Sequence, residues 1–155
     1  MQSVSIVDAA PNAAIWFTTD GTTPAPNAGT SQLHTSTTPV AINQTTTLKA
    51  IAAISGWTSS GVVTATYTLK AAVPTFSLPS GTYHGTQSVS IADSTTTALI
   101  WYTTDGTTPS PNQGTSQQYT TGTLVVIAKT TTLKAIAAES GWTTSLVSST
   151  TYTIH

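Results

Sequence analysis

The stretch Ile100–Pro109, IWYTTDGTTP, decides how this chain is read, because it stands a second time at Ile15–Pro24 as IWFTTDGTTP. Each copy runs a segment of aromatic and β-branched residues, the strand-forming types, straight into Asp-Gly. Asp-Gly is a strong turn signal, since both residues accept the positive φ that tight turns require. A carboxylate beside two aromatics also raises the question of chemistry. A catalytic acid of the glycosidase kind works with a second carboxylate, and calcium takes six or more oxygens, several of them from carboxylates. Besides Asp20/Asp105 only Asp8/Asp93 recur, and Glu139 falls opposite Ile54. Asp20-Gly21 and Asp105-Gly106 are therefore read as turns.

The duplication extends outward from this stretch. Gln2 aligns with Gln87, Lys49 with Lys134, Trp57 with Trp142 and Tyr67 with Tyr152, always at an offset of 85 and without a gap. Roughly two thirds of the aligned positions are identical, so the chain is two copies of one unit. Residues 1–71 form the first and 72–155 the second. The second copy begins with AVPTFSLPSGTYHGT (Ala72–Thr86), for which the first has no counterpart.

Within a unit every periodic segment is of strand type. SVSI places Val4 and Ile6 on one face. Thr45–Ala53 alternates Leu48, Ala50 and Ala52 against Lys49 and Ile51, and Val62–Leu69 alternates Val63, Ala65, Tyr67 and Leu69 against threonines. Asp-Gly, Pro-rich and Ser-Gly turn signals separate them. Short strands at this spacing predict an all-β chain of two tandem β-sandwiches.

Composition narrows the function. Charged residues are 6% and Lys+Arg number four, with a formal net charge of −1, so no basic patch for nucleic acid is available. Cysteine is absent, which removes disulfides and thiolate metal sites. Residues 1–20 lack the basic and apolar pattern of a signal peptide, and no apolar run approaches the ~20 residues of a membrane span. No reactive set recurs in both copies: His34 aligns with Tyr119, and His84 and His155 lack counterparts. The chain is read as a non-enzyme that needs no metal or cofactor.

Four motifs in order, Pro74–Tyr83, Ile100–Pro109, Thr130–Ala137 and Ser140–Trp142, resemble the chitobiase/β-hexosaminidase C-terminal domain, also called the fibronectin-III-associated repeat. The resemblance covers 73–155, and 2–70 without the leading strand. It implies an immunoglobulin/fibronectin-III-like sandwich that serves secreted bacterial glycosidases and cell-surface proteins as an accessory module, with no catalytic residues of its own. The chain departs from the family in carrying Trp57 and Trp142 after Ser-Gly, where Tyr is common.

The candidate carbohydrate contacts are Trp16, Trp57, Trp101, Trp142, Asn27, Gln32, Asn112, Gln117 and Tyr119. If Ile15 and Phe17 face the core, Trp16 faces outward beside Ile51, and Trp101 does so beside Ile136. Such a face either packs on other parts of the chain or forms an aromatic platform on which the C–H face of a sugar stacks. Trp57 and Trp142 stand on glycine turns, as exposed ligand contacts or as plugs over the sandwich end. The loops Pro24–Thr35 and Pro109–Thr120 are long for hairpins and supply the amide side chains that suit hydroxyl-rich ligands. The missing leading strand leaves three alternatives for the first copy: tolerance of the loss, pairing with its own tail, or a borrowed strand that makes a homo-oligomer. Two functions follow. One is a secreted or cell-surface module that binds or accompanies a polysaccharide; the other is a spacer or stalk that only sets distance.

Overall fold

The computed structural model describes residues 2–35 and 37–155. Their regular structure is entirely β. The chain divides into two compact units, the first ending at Leu69 and the second spanning Lys70–His155.

The first unit holds β1 (Gln2–Val4), β2 (Ala14–Thr18), β3 (Gln32–His34), β4 (Val40–Ile42), β5 (Thr46–Ala53) and β6 (Val63–Tyr67). A four-stranded sheet runs β3-β2-β5-β6, and β1 pairs with β4 in a second sheet. Two of these strands, β3 and β4, lie where the sequence shows loop signals. The registers fix which residues share a face. Trp16 lies opposite Leu33 on β3 and Ile51 on β5, and Phe17 lies opposite Gln32 and Ala50.

The second unit holds β7 (Thr75–Phe76), β8 (Gly81–Tyr83), β9 (Gln87–Val89), β10 (Ile91–Ala92), β11 (Leu99–Thr103), β12 (Gln117–Gln118), β13 (Val125–Ile127), β14 (Thr131–Ala138) and β15 (Ser148–Ile154). One sheet runs β12-β11-β14-β15-β8; the other is built from the pairs β13-β9 and β10-β7. Val89, Ile127, Leu133, Ala135 and Tyr152 pack between them with essentially no solvent exposure. The alternation of β14 accounts for this, because Leu133 and Ala135 point inward while Lys134 does not. This is the tandem β-sandwich architecture that the alternation and turn spacing predict, of the immunoglobulin/fibronectin-III-like kind that the resemblance implies.

The leading segment of the second unit serves both sheets. As β7 it pairs antiparallel with β10, Phe76 opposite Ile91. It then passes Pro79, whose missing N–H suits a crossing between sheets, and joins β15 as the parallel strand β8, Tyr83 opposite Ile154. Phe76, Leu78 and Tyr83 pack on the core. The Tyr152 hydroxyl donates to the Leu78 carbonyl at 2.8 Å. In the first unit β6 ends the four-stranded sheet with one neighbour, β5. Ile6 lies outside any strand and Val7 is 86% exposed.

Candidate functional site

The Asp-Gly turn closes the long loop on itself. In the first unit Asp20 Oδ1 accepts from the Thr22 N–H at 2.9 Å and the Thr22 hydroxyl at 2.6 Å, and Oδ2 accepts from the Thr30 hydroxyl at 2.6 Å. Asp105 repeats the arrangement with Thr107 and Thr115, at the same 2.9, 2.6 and 2.6 Å. A second tie lies beside each, where the Ala25 N–H donates to Ser31 Oγ and the Ser110 N–H to Ser116 Oγ, both at 2.9 Å. The hydroxyl of Thr22, followed by that of Thr30, holds the Asp20 carboxyl at about 2, well below the usual range; Thr107 and Thr115 do the same for Asp105. Both aspartates are fully exposed, yet every oxygen is engaged with its own loop. The acid is a clasp.

The amide side chains of the loop also meet backbone needs. Asn27 and Asn112 take φ of 53° and 54°, the left-handed region in which Asn is the most tolerant residue after Gly. Both are exposed, as are Gln32 and Gln117. Gln117 Oε1 accepts the Tyr102 hydroxyl at 2.9 Å. Tyr119 is 6% exposed, packs in the core, and donates its hydroxyl to the Thr123 carbonyl at 2.6 Å.

The Trp–Ile pairs sit as the alternation predicts, on the face opposite Phe17 and Ala50, but that face is largely covered. Trp101 is 6% and Ile136 4% exposed, Ile51 is 6% exposed and Trp16 is half-buried. Leu33, opposite Trp16, keeps 53% of its surface open.

Trp57 is different. It is 76% exposed and stands on a tight turn in which its N–H donates to the Ile54 carbonyl at 3.0 Å and Gly56 takes φ 81°. The loop beyond is tied back to β5, since the Ala52 N–H donates to Ser60 Oγ and the Ser60 N–H donates to the Ala52 carbonyl, each at 2.9 Å. The indole is therefore carried on a fixed support. It borders a shallow depression of about 200 Å³ whose floor includes Ala13, Ala52 and Ile54 and whose rim includes Asp8 and Thr58. Trp142 has the same turn, its N–H donating to the Glu139 carbonyl at 3.1 Å, but it is half-buried.

Within the first unit the structure does not gather the candidate residues into one place. In β2 the chain runs from Ala14, opposite Ala53 at the Trp57 end of the sheet, to Thr18 at the clasp end. Asn27 belongs to the clasp loop and Trp57 to the turn at the other end. The reading of the sequence named Asp8 only as a recurring carboxylate and did not name Thr58 or Ser60. Their only signal is proximity to Trp57, which the fold creates. Among the described residues no group of three or more His, Asp or Glu side chains could hold a metal ion, and no helix is long and apolar enough to cross a membrane.

Comparison with known proteins agrees with the repeat. Residues 78–152 match the family described as chitobiase/beta-hexosaminidase C-terminal domain, and residues 4–67 match the family described as Fn3 associated. An endoglucanase of Clostridium saccharobutylicum is 42% identical over 65 residues, covering 35% of this chain and 14% of that protein. The chain thus spans a small part of this relative's length. The matched families are accessory domains, distinct from catalytic ones. The chain is a tandem pair from these families, a fibronectin-III-associated repeat followed by a chitobiase/β-hexosaminidase C-terminal domain.

Proposed function

We propose that the chain is a non-catalytic module of a secreted bacterial protein that holds polysaccharide, and that Trp57 is its principal sugar contact. The observation that carries this reading is an indole 76% exposed on a braced turn, beside an apolar floor with a carboxylate at the rim. Leaving that much indole in water forgoes the burial that a tryptophan usually gains. A pyranose has an apolar C–H face for the indole and hydroxyls for Asp8 and Thr58, the mix of one anchor and a few polar groups that small-ligand sites show. The kinship with an endoglucanase module supports a carbohydrate setting.

The test is a fluorescence and affinity-electrophoresis titration against cellulose, chitin, xylan, mannan and β-glucan. The expected result is saturable binding to one of them with a blue shift, weakened at least about tenfold by Trp57→Ala, which corresponds to about 1.4 kcal/mol. Trp101→Phe should leave it unchanged. Silence toward every glycan would favour the second reading, a spacer. The burial of Trp101 and Tyr119 and the self-satisfied clasp loops support that reading, because they place much of the candidate surface in packing.

A further inference from the structure

The two repeats fill the space beside β3 and β12 differently. In the second, phenols close it. The Tyr119 ring packs in the core, edge-on to Tyr102 with centroids 6.3 Å apart, and donates its hydroxyl to the Thr123 carbonyl at 2.6 Å. The Tyr102 hydroxyl donates to Gln117 Oε1 at 2.9 Å. In the first repeat the same places hold His34 and Phe17. The imidazole keeps the edge-on geometry, with centroids 6.1 Å apart and the planes at 82°. It is smaller than a phenol and carries no hydroxyl, and Phe17 carries none either. Pro39 and Ala41 stand where the second repeat has Leu124 and Val126.

A recess of about 390 Å³ lies there in the first unit, lined from β2, β3 and β4. That volume falls within the range of small-molecule sites, roughly 300–1,000 Å³. Phe17 and Val40, each 7% exposed, give it apolar walls, and Gln32, His34 and Thr38 give it polar ones. In the second repeat ring-borne hydroxyls satisfy Gln117 and the Thr123 carbonyl. Among the described residues no hydrogen bond engages their counterparts, the Gln32 side chain and the Thr38 carbonyl. Nor does any Asp, Glu, Lys or Arg line the recess.

We propose that this recess binds a neutral hydroxylated six-membered ring, a pyranose or a phenol. The ring lies against Phe17 and Val40 and places its hydroxyls on the Gln32 amide and the Thr38 carbonyl. The chemistry is read from the second repeat, where hydroxyls on six-membered rings make both of these bonds. An amide offers both a donor and an acceptor to a hydroxyl, and a carbonyl offers an acceptor. The apolar walls take the C–H or aromatic part of the ring, so a few placed polar groups fix its orientation. The recess shares no lining residue with the Trp57 depression. It therefore stands apart from the Trp57 surface and does not rest on the sugar contact proposed there.

The experiment titrates the full ¹⁵N-labelled chain with methyl β-glucoside, methyl β-xyloside and catechol, and follows the amide spectra. Saturable shifts are expected at Gln32, His34 and Val40, with Gln117 and Tyr119 unmoved. A response to a glycoside makes the ring a sugar, and a response to catechol alone makes it a phenol; either sustains the proposal. His34→Tyr should weaken binding at least about tenfold, because it fills the recess with the side chain that the second repeat already accommodates. The dispersion of the remaining spectrum verifies that the variant folds. Trp57→Ala should leave the shifts in place. The proposal is overturned if none of the three compounds moves Gln32 and His34 at roughly 10 mM. It is overturned equally if His34→Tyr binds as well as the parent chain, or if Trp57→Ala removes the shifts, which would put the ring at the other end of the sheet.

Discussion

Leu48 and Leu133 are the same residue of the repeat, with 5% and 0% of their surfaces exposed, and truncating each to alanine should cost different amounts. Removing the isopropyl group forfeits about 2 to 2.5 kcal/mol of transfer free energy at either site. The remaining cost depends on the cavity, at about 24 cal/mol per Å³. Leu133 is walled by Val89, Ala135 and Tyr152, none of which has exposed surface to yield. A void of about 60 Å³ there adds about 1.5 kcal/mol, for a total near 4 kcal/mol. Leu48 lines a groove of about 180 Å³ beside β6, so its void joins a depression that water already reaches, and the total should stay near 2.5 kcal/mol. Native-state hydrogen exchange, read on β14 and β15 for one variant and on β5 and β6 for the other, separates the two units. Equal costs, or a larger one for Leu48→Ala, would show that the groove beside β6 is closed and that the cavity reasoning is wrong.

The clasp should be sensitive to acid. The threonine hydroxyls hold the carboxyls of Asp20 and Asp105 at about 2, below the ordinary 3.8, so whatever the clasp contributes is present above about pH 4 and is lost as pH falls toward 2. Carboxyl-carbon NMR should show both titrating near 2, and midpoints near 3.8 would mean that the loops are open. Thr30→Val should raise the Asp20 midpoint alone, since it removes the donor to Oδ2. Tyr152→Phe strands the Leu78 carbonyl and should lower the stability of the second unit by about 1 to 2 kcal/mol in urea unfolding; no change would mean that water replaces the phenol.

The architecture was legible because two periodic signals were long enough to measure. Thr45–Ala53 and Ile100–Thr103 alternate over whole strands, and a gapless repeat doubles every observation. Strands β3, β4 and β13 are three residues each, too short for a two-residue period to stand out, and they read as parts of loops. The acid of the opening stretch was legible as a turn residue. Its partner Thr30 was not, although an Asp followed ten residues later by Thr occurs in both copies, because a hydroxyl in a threonine-rich chain carries no signal of its own. Exposure was the least legible quantity. Alternation sets Trp16 and Trp101 on the strand face opposite Phe17 and Tyr102, but whether a face is covered depends on groups distant in sequence, and Trp101 is buried. Trp57 and Trp142 share the motif Ser-Gly-Trp-Thr and differ in burial.

That last difference accompanies another beside the turn. In the second unit the Ala72 N–H donates to Thr95 Oγ1 at 2.9 Å, just before β7 begins; Thr95 is the counterpart of Ala10, which borders the Trp57 depression. The tryptophan is half-buried in the second unit and exposed in the first. A second depression of about 120 Å³ lies between the Trp57 depression and the groove beside β6, sharing Ile6, Val7, Ala50 and Val63 with the groove and Asp8, Ala52 and Ser60 with the Trp57 depression. Widening the groove should therefore alter the Trp57 surface. The indole N–H resonance of Trp57 should shift in the Leu48→Ala chain, and glycan affinity should fall by at least about threefold, which is roughly 0.65 kcal/mol. An unmoved Trp57 resonance together with unchanged glycan affinity would show two independent surfaces. The groove at the edge and the sugar contact at the end of the sandwich would then be without communication.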